Sequence, residues 1–197
     1  MKKLFFVVFL AVIAMNMFPV SVGSPNQRIK VVFDLSLKDS VPSYRVFFDD
    51  KEVIAKSNLG FLLEDDIDLN SGFALKNVDI QSFSSKWSPI LGQYAEIEDI
   101  YNQCVINLQQ PSTGRAMRIV FRLYDEGIAF RYEFDRQENL GYFRIKDEVT
   151  QFAMTGDHTA WWIPGVFDSN EFFYTKSKLS DIDAIKVDGS GIGTNKV

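Results

Sequence analysis

The fold of this chain is decided by residues 118–134, which read RIVFRLYDEGIAFRYEF. Apolar side chains alternate through this stretch on both sides of an Asp125-Glu126-Gly127 turn: Ile119, Phe121 and Leu123 before it, and Ile128, Phe130, Tyr132 and Phe134 after it. Successive side chains of a strand point to opposite faces, so this period of two predicts a hairpin with one buried face. Because glycine tolerates a positive φ, we expect Gly127 to take the left-handed position of a three-residue loop.

The same alternation recurs along the chain. It covers residues 29–37, with Ile29, Val31, Phe33, Leu35 and Leu37 on one face, and Tyr44, Val46 and Phe48 before a turn at residues 49–51. Further strands are predicted at residues 60–63, 74–80, 101–108, 142–145 and 159–163. No amphipathic helix exceeds about three turns, whereas α/β folds alternate strands with helices of about 10–15 residues. We therefore expect an all-β, antiparallel sandwich or barrel.

Composition and charge exclude some classes of function for this chain. The 197 residues are 46% hydrophobic and carry a formal net charge of −5, which is typical of a globular protein. Nucleic acid is excluded as a partner, because phosphate binding needs clustered Lys and Arg and the sequence has no basic stripe. Cys104 is the only cysteine and His158 the only histidine. We interpret Cys104 as a buried, unreactive thiol in preference to a nucleophile activated by His158.

Both ends of the sequence bear on domain organisation. Lys2 and Lys3 precede an apolar run, residues 4–18, and small residues before Ser24 predict a signal peptide of residues 1–23 that is cleaved there. An uncleaved anchor is disfavoured, because a spanning helix needs roughly 20 apolar residues. After cleavage we expect no membrane association and one β domain, residues 24–197. Its last residues are small and glycine-rich, so we expect the sandwich to stop before its final strands.

Two adjacent tryptophans are candidate substrate-binding residues. Trp161 and Trp162 lie on a predicted strand, so at most one indole can enter the core and the other must cover a second surface. Such an exposed indole stacks on sugar rings or fills a domain interface. Residues 168–171 follow as a polar turn between aromatic residues, and Glu171 is its acidic end. A carboxylate held between these aromatic residues is well placed to contribute to a shared site. The alternative interpretation is an ordinary hairpin turn with aromatic side chains in the core.

Three runs of sequence together resemble a known family. They are WSPILGQY at residues 87–94, IVFRLYDEGIAFRY at residues 119–132, and WWIP at residues 161–164 continuing through Glu171 to Tyr174. In this order and spacing the runs are similar to the N-terminal domain of glycoside hydrolase family 97. The resemblance covers nearly all of the chain after the predicted signal peptide.

The resemblance implies a fold and a function. Members of this family are exported bacterial α-glucosidases and α-galactosidases, so it implies the periplasm or outer membrane of a Gram-negative bacterium. It implies an antiparallel β-super-sandwich, galactose-mutarotase-like, that packs on a (β/α)8 catalytic barrel. The catalytic residues would lie in that barrel, so none is assigned in this chain and we expect the chain alone to be inactive. By motif position, Glu171 would join barrel residues in binding a calcium ion at the active site, where an α-linked glucan or galactoside is the substrate.

Two other functions remain open at this point. The chain could be a freestanding carbohydrate-binding module that uses Trp161 or Trp162, or a structural sandwich for assembly at the cell surface. Calcium is coordinated by 6–8 oxygen ligands, so Glu171 alone should bind it negligibly.

Overall fold

The chain folds as an antiparallel β structure. The computed structural model describes residues 19–64, 67–163 and 173–183. Twelve strands lie within these residues: β1 Val20–Gly23, β2 Ile29–Leu35, β3 Pro42–Phe48, β4 Lys51–Asn58, β5 Phe61–Leu63, β6 Ala74–Trp87, β7 Ile97–Gln109, β8 Ala116–Leu123, β9 Ile128–Glu133, β10 Ile145–Glu148, β11 Thr159–Trp162 and β12 Thr175–Lys178. Two 3₁₀ turns, Glu138–Leu140 and Leu179–Asp181, supply the helical residues of this region. The predicted all-β class is confirmed.

The strands form two four-stranded sheets and two ribbons. The sheets have the strand orders β1-β2-β3-β4 and β6-β7-β8-β9, and the ribbons pair β10 with β5 and β11 with β12. Every pairing between these strands is antiparallel. Within the described residues, no helix combines the length and the apolar character needed to cross a bilayer.

The core lies between the two four-stranded sheets. Its buried side chains come from both sheets and include Val31, Phe33 and Tyr44 from the first and Ile106, Ile119 and Phe121 from the second. The ring centroid of Tyr44 lies 6.0 Å from that of Phe121 and 5.5 Å from that of Phe130, so the sheets interlock through aromatic contacts. Each such side chain contributes about 1.5–3 kcal/mol when it leaves water. The core-facing positions of β2, β8 and β9 are those that the alternation predicts.

Two details of the turns differ from the sequence prediction. Leu37 is fully exposed, because β2 ends at Leu35 and Leu37 lies in the turn before β3. The loop between β8 and β9 has four residues, 124–127, since Leu123 pairs with Ile128 and the N–H of Tyr124 donates to the carbonyl oxygen of Gly127. Four-residue loops are built around a type I turn, so Gly127 does not need the predicted left-handed conformation and lies outside it.

Several strand boundaries also differ. β6 continues past the predicted residues 74–80 to Trp87, and β7 begins at Ile97, before the predicted residues 101–108. β10 begins at Ile145, where the predicted strand of residues 142–145 was to end. β1 pairs with β2 and places Val22 in the core, so the folded sandwich begins four residues before the predicted cleavage point. Residues 1–18 lie outside the described residues, and the signal peptide stays a prediction.

One sheet edge is covered by a later part of the chain. The carbonyl oxygen of Asn58 accepts from the N–H of Gln151, and the N–H of Ala55 donates to the carbonyl oxygen of Ala153, so residues 149–154 run along β4. An edge covered in this way does not template further strand pairing. Gly60 forms the crossing from β4 into β5 with φ +140°, and a Cβ there would lie 2.5 Å from the carbonyl oxygen of Leu69. Only glycine fits.

Candidate functional site

The two predicted substrate-binding tryptophans lie on the β11–β12 ribbon. In its register Trp161 pairs with Lys176 and Trp162 pairs with Thr175. Trp162 is 8% exposed, and its Nε1–H donates to the Ser177 hydroxyl at 2.9 Å, so the polar atom of the buried indole is satisfied. Trp162 therefore links the two strands of the ribbon.

The other indole faces outward. Trp161 is 64% exposed, and the ammonium of Lys176 lies 5.1 Å from its ring centroid, a cation–π contact across the ribbon. The prediction that the two indoles point to opposite faces is thus confirmed. Binding of sugar by either indole stays a prediction.

The far end of the ribbon is closed by a network around Asp157. Its carboxylate accepts from the backbone N–H and the hydroxyl of Ser180, both at 3.0 Å. These hydrogen bonds, the backbone one first, lower the pKa of Asp157, so it is ionised at neutral pH. Lys178 donates to the Asp157 carbonyl oxygen at 3.0 Å. The network fixes the end of the ribbon opposite to the connection from β11 to β12.

The predicted calcium ligand belongs to that connection. Glu171, with residues 168–170, lies outside the described residues, so its role stays a prediction. Within residues 19–64, 67–163 and 173–183, no three His, Cys, Asp or Glu side chains lie together as a metal site. The described part of the chain therefore offers no alternative calcium centre to test against Glu171.

Cys104 is not an activated nucleophile. It lies on β7 facing the core and is 1% exposed. Burial raises the pKa of its thiol to about 12, with a smaller contribution from the charge of Asp79. The thiol stays protonated at neutral pH, and a protonated thiol is a poor nucleophile. The interpretation of Cys104 as buried and unreactive is confirmed.

The outer face of the second sheet carries a charged groove whose charges pair with each other. Arg118 reaches Glu133 at 3.0 Å and Asp135 at 2.8 Å, and Arg131 donates to Glu133 at 2.7 Å. The hydrogen bond from Arg131 is the largest cause of the lowered pKa of Glu133. Because these side chains bind one another, the groove is interpreted as structural.

Sequence reasoning missed one surface feature, the projecting end of the β6–β7 hairpin. We call residues 83–101 the arm and residues 87–95 its tip. Several large apolar side chains on the arm are exposed: Trp87, Ile90, Leu91, Tyr94 and Ile100. The signal was present in the sequence, since residues 87–94 were one of the runs that carried the family resemblance, but no alternation marked them as part of a hairpin.

Comparison with known proteins agrees with the resemblance. Residues 22–190 match the profile of the family described as Glycosyl-hydrolase 97 N-terminal. A glycoside hydrolase family 97 enzyme of Pseudoalteromonas sp. strain K8, in complex with acarbose, superposes with a TM-score of 0.77 and 31% identity. The match covers 82% of this chain and 25% of that one. The E480Q form of that enzyme in complex with panose gives a TM-score of 0.76 with the same identity and coverage.

A more distant structure shows the fold alone. A β-arabinopyranosidase superposes over 76% of this chain and 23% of its own with a TM-score of 0.66 and 20% identity. In each of these structures the matched region is about a quarter of a longer chain.

Proposed function

The chain belongs to glycoside hydrolase family 97 as an N-terminal domain of such an enzyme, and from this premise we propose that it packs on a catalytic (β/α)8 barrel and completes a calcium site there with Glu171. The observation that carries the proposal is the family match over residues 22–190, together with relatives in which the matched region is about a quarter of the chain. A domain that recurs as a quarter of a longer chain has a covalent neighbour to pack against.

The substrate class proposed for the whole enzyme is an α-linked glucan or galactoside. Support comes from the relative from Pseudoalteromonas, whose structures hold panose and acarbose. The acid and the base or nucleophile would be barrel residues, so this chain's part is to shape and complete the pocket. Export to the periplasm or outer membrane belongs to the same proposal and rests on the N-terminal sequence.

The calcium proposal fits the donor chemistry of the chain. Calcium prefers 6–8 oxygen ligands, and a carboxylate can supply one or two of them. Glu171 follows the buried Trp162 and the fixed β11 strand in sequence, so the ribbon would hold its loop at one end. When bound, the ion would polarise substrate hydroxyl groups or a water molecule.

The test compares Glu171→Gln with Asp168→Asn in a protein that joins this chain to a family 97 barrel. We expect calcium to raise the melting temperature of the parent and of Asp168→Asn, and Glu171→Gln to weaken calcium binding about tenfold or more, because one charged ligand is lost. Isothermal titration after chelation measures the affinity. Unchanged affinity in Glu171→Gln would remove the calcium role, and cleavage of α-linked sugars by the isolated chain would overturn the proposal itself.

A second candidate function is favoured by the outward indole of Trp161, namely direct carbohydrate binding by the ribbon. A partly exposed indole on a rigid strand can stack on a sugar ring. Titration of the isolated chain with panose would then shift its tryptophan fluorescence, and Trp161→Ala would abolish the shift. Trp87→Ala is the matched control, since it removes an exposed indole elsewhere. No shift in the parent chain would exclude this function.

A further inference from the structure

The arm extends beyond the sandwich. β7 pairs with β8 along residues 102–109, whereas β6 and β7 remain paired for five further positions, from Phe83–Tyr101 to Trp87–Ile97. At about 3.4 Å per residue, these pairs carry the tip roughly 17 Å past the third strand. Beyond its base the arm is therefore a two-stranded ribbon with no third strand beside it.

Side-chain contacts brace the base of the arm. The ring of Tyr101 stacks on Phe83 with centroids 5.0 Å apart, and the guanidinium of Arg122 lies 4.5 Å from the Tyr101 centroid on the same outer face. Further out, Lys86 bridges Glu96 at 2.9 Å and Glu98 at 2.8 Å across the two strands. A surface held in one position loses little conformational entropy when it binds.

The tip is apolar and uncharged. The nine residues 87–95, WSPILGQYA, contain no ionisable acid or base except the Tyr94 phenol. Ile90 is 99% exposed and Leu91 is 90% exposed. The turns of the β3–β4 and β8–β9 hairpins instead contain Asp49-Asp50 and Asp125-Glu126, as expected for turns that face water. Exposed apolar groups that lie together mark interaction surfaces.

We propose that the tip, residues 87–95, is the surface by which this chain docks into an apolar cleft of the catalytic part of its enzyme. The inference rests on the proposed function and specifies which surface makes the contact. The occupant follows from the relatives, in which this fold is about a quarter of a single chain. The ribbon extends past the third strand of its sheet and exposes apolar side chains, as expected of a surface that contacts the rest of such a chain.

Cysteine labelling tests the docking directly. Leu91→Cys places a thiol in the tip, and Leu37→Cys places one at an equally exposed leucine in the β2–β3 turn. Cys104 adds no background, since it is buried and protonated. Both variants are compared in the isolated chain and in a chimera in which this chain replaces the matched quarter of the Pseudoalteromonas enzyme, with any cysteines of the remainder changed to serine. The rate of maleimide modification is measured.

In the chimera, Leu91→Cys is expected to react more slowly than in the isolated chain, by about tenfold or more. Leu37→Cys is expected to react at an unchanged rate. If the chimera unfolds in one transition and Leu91→Cys keeps its full rate, the tip is not the docking surface. The proposed packing of this chain on the barrel is then still supported by the single transition. Two independent transitions with full reactivity at both sites overturn the packing as well. Protection in the isolated chain that grows with concentration overturns the proposal in favour of contact between two copies.

Discussion

The β6–β7 and β8–β9 hairpins are neighbours in the second sheet, but one ends in solvent and the other packs on the core. The β8–β9 hairpin lies against the first sheet, and its inward side chains, such as Phe121 and Phe130, belong to the core or pack on it. In the β6–β7 hairpin, β7 pairs with β8 only over residues 102–109, and the two strands continue beyond this pairing as the arm, with Ile90 and Leu91 in solvent. The difference separates residues that stabilise the fold from residues available for a partner.

The largest effect is expected in the core. Phe121→Ala should lower the free energy of unfolding by about 3–5 kcal/mol, because a fully buried ring in contact with Tyr44 and Phe130 is lost. Leu91→Ala in the tip should change it by less than about 0.5 kcal/mol in the isolated chain. Urea unfolding followed by circular dichroism measures both. Similar losses of unfolding free energy in the two variants would contradict the separation between core residues and tip residues.

The next effect concerns β1, which braces the base of the arm. The side-chain amide of Asn102 donates to the Gly23 carbonyl oxygen at 2.8 Å, and Val22 is buried. A chain that starts at Ser24 should be less stable than one that starts at Pro19 by about 1.5–3 kcal/mol, mainly through Val22. Ser21→Ala in the longer chain, which alters an exposed position of β1, is the control. Equal stability would show that β1 contributes nothing.

A smaller effect is expected where β9 meets the segment beside β5. The Tyr132 hydroxyl contacts the Thr150 hydroxyl at 2.6 Å and accepts from the N–H of Gly60 at 3.2 Å. Tyr132→Phe leaves that N–H without this partner and should cost about 1–2 kcal/mol. Tyr142→Phe, at an exposed ring, should be near neutral. An equal loss in both variants would contradict the assignment.

The smallest effect is a pH dependence from the buried half of β7. The folded pKa of Cys104 is about 12, above the ordinary 9.0, so the unfolded chain loses this proton first as the pH rises. The protonated thiol contributes fully to the free energy of unfolding below pH 9. This contribution declines as the pH rises from 9 through about 12, and the loss at pH 10 is about 1 kcal/mol. Cys104→Ala should therefore show a shallower loss of stability between pH 8 and 10. Parallel profiles for variant and parent would refute this.

The sequence predicted the parts of the fold where one face is buried. β2, β8 and β9 alternate because their inner positions face a core, and the two tryptophans separate for the same geometric reason. β6 was predicted only to Ile80, because residues 81–86, QSFSSK, show no apolar alternation and all except Phe83 are exposed. Pairing with β7 makes them a strand.

Pairing with a neighbouring strand also explains the other strands that the sequence did not predict. β10 reads IKDE and β12 reads TKSK, and both are strands because β5 and β11 lie beside them. Tyr142 and Phe143 suggested an earlier strand, but Phe143 instead packs beside Phe134, with centroids 5.2 Å apart. Of the candidate site, the sequence predicted correctly that the two indoles lie on opposite faces of their strand, and it singled out residues 87–94 only by resemblance. Glu171 remains a prediction.

The crossing at Gly60 has an evolutionary consequence. Since backbone atoms of Leu69 and Asn70 occupy the space of any side chain there, drift at this position is blocked by the fold, with no role in substrate binding required. The exposed side chains of the tip and of Trp161 are under no such steric constraint within this domain. They should all inherit this glycine.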